Sequence, residues 1–343
     1  MKTALIASFA GLLCLAASIL GSCGGSTTVA GGGGISGTGT TTIAVGQATD
    51  FGSVWIGSSE YFARPGSRIF LSFDNVSTSQ ESVLHRGMSI TVAGGFNAAA
   101  NRLEYDRIDY RPELRGPLAD VDLAGSSCTL LGRQVRATSD TLYAGGLTSL
   151  GDLAAIKGQQ PEIEVSGNIT DNGELVASRI ALIKQNFTAG SLVALKGTVS
   201  NPTSTSFDIG SQSISLTGAT FINMLPGDLA PGLFLEVMGN YNGTTIAAQK
   251  IERRFPLNGA VSGTKLELRG LALSTVAPDN SLLVAGPDGP VQVQVTSDTR
   301  YRRGGTMADK TIVNAGIIVE VKGTLQTDNR TLTASDINAE SPG

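Results

Sequence analysis

The chain has 343 residues, of which 41% are apolar and only 16% charged, so it can bury a core and is not generally disordered. A formal net charge of −4, with both signs scattered along the sequence, excludes the strongly basic footprint of a nucleic-acid binder. Forty-four glycines and 5% aromatic residues suit many short strands and turns better than long helices.

The first element in chain order is a leader. In MKTALIASFAGLLCLAASILGSC, Lys2 precedes an apolar run from Ala4 to Leu20 and then small residues, the layout of a secretory signal peptide. The run has no flanking stop-transfer charges, as a retained span would. Leu20-Gly21-Ser22-Cys23 resembles the bacterial lipobox, which implies cleavage before Cys23 and a diacylglycerol on its thiol. Gly24 after that cysteine implies the outer membrane, so the expected partner of this end is a lipid bilayer. With Cys14 in the leader and Cys23 acylated, Cys128 is left alone and has no disulfide partner; its setting, SSCTLLG, predicts a small buried hydrophobe.

Residues 24–42 are almost entirely Gly, Ser and Thr, a flexible tether with a root-mean-square span of roughly 24 Å. Its Gly-x-Gly patterns follow no apolar strand and open no helix, so they are not read as a phosphate loop.

From Ile43 the chain repeats itself. An opening phrase recurs as PELRG (112–116), VALKG (193–197) and LELRG (266–270), with IAVGQ around Gly46 as a divergent copy. A second phrase recurs as RGMSITVAGG, GQQPEIEVSGN, GLFLEVMGN and GIIVEVKGT, each reaching Val92, Val165, Val237 or Val321 two residues before Gly94, Gly167, Gly239 or Gly323. Each unit then closes on an isoleucine: Ile108, Ile180, Ile251 or Ile337. Four units follow, at 43–110, 113–184, 191–254 and 265–340.

Each unit reads as an opening strand ending at glycine (Gly116, Gly197, Gly270), two strands around a turn, one or two helical turns, and a final hairpin. The helical turns close on Gly87, Gly158, Gly232 or Gly316, positions expected to take positive φ. Five strands with a small helix between the third and fourth predict an all-β chain of tandem OB-like barrels, with another small barrel or an open sandwich as the alternative. The LRG phrase is expected to bend the first strand, leucine inward and the basic side chain outward. Units this small bury little area alone, so packing between neighbours is expected.

The repeats resemble the bacterial domain-of-unknown-function family numbered 5666. The resemblance rests on the opening strand, on TSDTLY (138–143) and TSDTRY (296–301), and on the LAAIKG, EIEVSG and LVASRI segments. It implies architecture and compartment, and brings no activity, cofactor or catalytic residue.

The inventory of reactive groups is thin. His85 is the single histidine, no Gly-x-Ser-x-Gly elbow accompanies it, and a Cys/His zinc site lacks ligands. RLEYDRIDYR places Glu104 and Asp106 at i, i+2 on one strand face, a spacing that a retaining glycosidase pair approximates, although a half-solvated strand explains the same pattern. In TDNGE, Asp171, Asn172 and Glu174 offer oxygens for calcium, but a hairpin turn at Asn172-Gly173 accounts for them without an ion. Trp55 is assigned to a core or barrel rim. The candidate ligand surface is Arg300, Tyr301, Arg302 and Arg303, a basic-aromatic cluster suited to an anionic glycan or lipid headgroup.

The expectation is a lipid-anchored outer-membrane protein that binds or spaces without catalysis, its partner an envelope protein or a glycan. No catalytic residue, metal or cofactor is assigned, and no nucleic acid is expected. The competing readings are a glycan-directed hydrolase using Glu104 and Asp106 and an OB-type binder of oligosaccharide or nucleic acid.

Overall fold

The structure is a computed structural model that describes residues 41–257 and 260–340; the leader, Cys23 and nearly all of the tether lie outside the described residues. Strand pairing closes four rings of five strands. In the second, Leu114–Asp122, Ser127–Leu130 and Arg133–Arg136 pair in antiparallel succession; Arg133–Arg136 then runs parallel to Leu175–Lys184, which returns through Glu162–Ile169 to Leu114–Asp122. The third ring has the same order through Leu192–Ser200, Ser206–Ile209, Gln212–Ser215, Thr245–Arg253 and Phe234–Tyr241. So does the fourth, through Lys265–Ala272, Ser281–Gly286, Gly289–Gln294, Thr331–Ala339 and Ile318–Leu325. The first uses Thr41–Asp50, Val54–Ile56, Ser59–Leu71, Arg102–Tyr110 and Ser89–Asn97. A parallel contact between third and fifth strands, with the fourth closing on the first, is the OB order.

The repeated phrases mark one row of each barrel. Val92, Val165, Val237 and Val321 sit directly opposite Ile108, Ile180, Ile251 and Ile337, and all eight are fully buried. Leu114, Leu195 and Leu268 face the same valines from the first strand. Such aliphatic rows fill the narrow interior, at about 1.5–3 kcal/mol per side chain buried.

The following glycine is a packing requirement. Beside Gly94, Gly167, Gly239 and Gly323 the register slips by one residue, so the fifth strand bulges toward the fourth. A Cβ at any of the four would collide with the carbonyl oxygen of Glu104, Val176, Ala247 or Thr333. The first-strand glycines are crowded too: Gly116 and Gly197 lie under Leu131 and Ile209 from the next hairpin, and Gly270 under the carbonyl of Ala285.

Only the second unit makes a full helix, Leu150–Ile156, whose entry is held by the Asp152 carboxylate accepting from the N–H groups of Thr148 and Ser149. The others have single turns at Glu81–Val83, Pro226–Asp228 and Lys310–Ile312. Gly87, Gly232 and Gly316 take the expected positive φ of 84°, 86° and 88°, but Gly158 does not. The helix runs on through a tight turn at Lys157–Gln159, and Gln160, at φ 51°, takes the position five residues before Val165 that glycine occupies in the other units.

The barrels form one body. Strand Thr41–Asp50 pairs in parallel with Lys265–Ala272, so Ile43 and Val45 enter the core of the fourth barrel while Ala44 and Ala48 face the first. Leu114–Asp122 pairs with Leu192–Ser200 between the second and third barrels, whose cores are continuous. Ile169 meets Gly286 between the second and fourth. This tight assembly meets the need of small barrels to bury area against neighbours.

Candidate functional site

The outward faces of the opening strands meet other barrels. Leucines 114, 195 and 268 point inward as expected, yet the outward Arg115 and Lys196 are also buried. Arg115 pairs with Glu162 at 2.8 Å, Glu164 at 3.4 Å and Asp74 of the first barrel at 3.0 Å. Lys196 lies 3.1 Å from Glu113 and 2.9 Å from Asp288 of the fourth barrel, which also takes a 2.6 Å contact from Arg254. Arg111 reaches Glu236 and Glu252. Of these groups Arg111, Glu113, Lys196, Arg254 and Asp288 line a cavity of about 170 Å³, to which Ser89, Thr91, Arg107 and Asp109 add the first barrel.

Charges without water must be paired or neutralised. Burial works against the Asp288 carboxylate, but Lys196 and Arg254 outweigh it and hold its pKa below the carboxylate range. Lys250, Arg111 and Arg254 likewise outweigh the burial of Glu252 and keep it at about 2. Glu113 goes the other way. Burial pushes it up to about 7, and Lys196 and the Gly167 N–H only partly compensate. At the first–fourth junction burial raises Glu267 to about 8, although Tyr61 donates to it and Lys322 lies 4.0 Å away.

A larger cleft of about 530 Å³ opens between the first, second and fourth barrels. Its floor is aliphatic: Leu142, Val176, Leu271, Ile317 and Ile318. Across it runs a polar chain. Glu340 grips Arg269 through two 2.6 Å contacts, Arg269 donates to Gln47 Oε1 at 3.0 Å, and Gln47 donates to Asn168 Oδ1 at 2.9 Å. Arg86 and Arg136 stand on its walls, and Arg136 uses Nε to hold Glu174 at 2.8 Å. The TSDT motif shapes one wall. Thr141 Oγ1 caps the Thr138 N–H and donates to the Ala177 carbonyl, pinning the loop to the fifth strand; Thr299 does the same for Thr296 and Ala334.

The residues expected to bear chemistry are dispersed. Arg300 and Arg302 both turn to Asp336 at 3.3 and 3.4 Å, Arg303 donates to the Ile312 carbonyl, and Tyr301 packs half-buried against the fourth core. One carboxylate serves two of the three arginines and Arg303 meets only a neutral carbonyl, so the cluster keeps a positive excess, and it stands outside both cavities. Glu104 and Asp106 do share a face, as strand alternation implies, and both meet Arg64 at 3.2 and 2.8 Å. Hydrogen bonds from Asn97, Arg102 and Arg64 hold Glu104 below its ordinary pKa, the opposite of what a general acid needs. His85 is exposed, and the desolvation its neighbours impose, with nearby Arg179, lowers its pKa. Asn172 Oδ1 accepts from the Glu174 N–H in a hairpin turn, and Glu174 is committed to Arg136. Trp55 is half-buried on a short rim strand. Burial raises the Cys128 thiol to about 12.

The cleft residues Arg86, Arg136, Asn168 and Gln47 were not distinguishable in the sequence. They come from two units, and although Gln47, Arg86 and Asn168 stand at the ends of the recurring phrases IAVGQ, RGMSITVAGG and GQQPEIEVSGN, those phrases do not say which units meet; the one further local signal was the repeated TSDT.

A closed five-stranded ring repeated through the chain defines a tandem OB-like β-barrel protein. The model of the family described as Domain of unknown function (DUF5666) matches residues 115–181, 196–252 and 273–338, and the chain belongs to that family. The first barrel lies outside these segments but has the same strand order. Comparison with the curated proteins and with the solved structures finds no match.

Proposed function

We propose that this chain is an exported, lipid-anchored module of the bacterial envelope that binds a ligand without catalysing a reaction. One observation carries the binding half of this reading: the buried carboxylates and cations at the barrel junctions are spent on one another, whereas the three-barrel cleft keeps polar groups free beside an aliphatic floor. The anchor rests on Lys2, the apolar run and Leu20-Gly21-Ser22-Cys23. A body of interlocked barrels would stand about one tether length, roughly 24 Å, from the bilayer.

The test is fractionation and metabolic labelling of the full-length chain. Radiolabelled palmitate should enter the wild type, which should sediment with outer membranes; Cys23→Ala should take no label and leave that fraction. Equal distribution of the two forms would overturn the anchor. Hydrolysis of envelope glycan by the wild type, abolished in Glu104→Gln, would overturn the non-enzymatic half.

A further inference from the structure

We propose that the cleft between the first, second and fourth barrels is a binding site for an aliphatic amphiphile with an anionic, acceptor-rich headgroup, such as a fatty-acid carboxylate or a phospholipid phosphate. The inference deepens the binding reading above and rests on it.

The floor decides the body of the ligand. Leu142, Val176, Leu271, Ile317 and Ile318 give an apolar surface without an aromatic ring among the described lining residues. Sugars and bases are held by stacking on aromatic faces, which this floor does not offer; a methylene chain needs only area, at about 25 cal/mol per Å². The volume lies in the range of small-ligand sites, and Leu142 is 38% exposed where most leucines are covered.

The walls decide the headgroup. Arg86 has no ion pair among the described residues. Arg136 commits Nε to Glu174 and keeps its terminal nitrogens free. Asn168 is only 3% exposed, its Oδ1 is taken by Gln47, and its Nδ2 has no partner among the described residues. An amide N–H group that opens on the cleft and donates to no described residue is a donor available to an acceptor there. Glu340 is saturated by Arg269, which leaves exposed Asp140 as the free carboxylate of the lining. The free donors thus outnumber the free acceptor, and they are of the kind that hold carboxylate or phosphate oxygens.

The experiment uses envelope preparations containing the full-length chain and a twelve-carbon carboxylate bearing a diazirine and a terminal alkyne. After irradiation, label should concentrate on peptides containing Leu142, Val176 and Ile317. Dodecanoate should displace it and dodecyltrimethylammonium should not. Arg86→Glu, a change at an exposed unpaired residue, should cut labelling at least about tenfold, and Leu142→Asp should do the same from the floor. Unchanged urea midpoints would show that both variants fold. Competition by lysophosphatidylglycerol stronger than by dodecanoate would assign a phospholipid source, and the reverse a free carboxylate. Label spread over the surface, equal displacement by the cationic amphiphile, or insensitivity to either variant would overturn the site. Loss of anchoring alone would move labelled chain to the soluble fraction with the cleft still labelled, which separates the two failures.

Discussion

Glu113 makes the stability of this protein depend on pH in an uncommon direction. Its carboxyl is 1% exposed, 3.1 Å from Lys196, and accepts from the Gly167 N–H at 2.8 Å. Lys196 is shared with Asp288, so an ionised Glu113 has only part of one cation and the Gly167 N–H to offset its burial, and the nearby Asp288 carboxylate opposes it. Burial therefore dominates, and the folded pKa rises from 4.5 to about 7. Because the folded value lies above the unfolded one, the stabilisation is complete below about pH 4.5 and is lost as pH rises through 7. At about 1.4 kcal/mol per unit, the loss is on the order of 3 kcal/mol. Urea unfolding of the full chain in mild detergent, at intervals from pH 5 to 8, would read this as a falling midpoint. Glu113→Gln should be nearly as stable as wild type at pH 5 and more stable at pH 8. His85, whose pKa is lowered, acts in the opposite sense, so the comparison belongs in a His85→Gln background. Equal pH slopes with and without Glu113 would refute the argument.

Glu267, raised to about 8, should extend the decline into mildly alkaline pH, and Glu267→Gln should remove that part. Below pH 4.5 the sign reverses: Glu252, held at about 2, and Asp288, held lower still, supply stability that is lost as they protonate, so unfolding midpoints should peak near pH 4.5–6. Lys196→Met removes the cation between Glu113 and Asp288 and should cost about 3–5 kcal/mol by urea titration at pH 7, far more than Lys157→Met on an exposed pair. Gly239→Ala, which drives a methyl into the Ala247 carbonyl, should cost about 1–3 kcal/mol, whereas Gly243→Ala in open space should cost only its backbone strain. Cys128, its thiol raised to about 12, should resist iodoacetamide at pH 8 until urea unfolds the chain.

The barrel was legible because repetition exposes geometry. Four copies of Val-x-Gly followed by an isoleucine record a cross-strand pair and the bulge beside it, and no other residue fits against the carbonyl there. The same method misplaced one cap. Gly158 looks like Gly87, Gly232 and Gly316, but two extra residues separate it from Val165, and spacing to the core, more than residue type, sets the left-handed position that Gln160 fills.

The junctions were not legible, for a reason intrinsic to strand periodicity. Alternation states which side of a sheet a residue faces and says nothing of what lies on that side. Arg115 and Lys196 point outward, as the phrase implies, and outward here means toward Glu162 of the same barrel in one case and Asp288 of another in the other. A repeat that must bury its outer face can do so with aliphatic residues or with matched charges. Aliphatic faces would join any barrel to any other, whereas Lys196 finds its partners only where Glu113 and Asp288 converge. Removing one partner leaves an uncompensated buried charge, which penalises any other arrangement of the barrels. On this argument the recurring basic residue of the opening phrase fixes which barrel sits beside which, and the three-barrel cleft exists because that order is fixed.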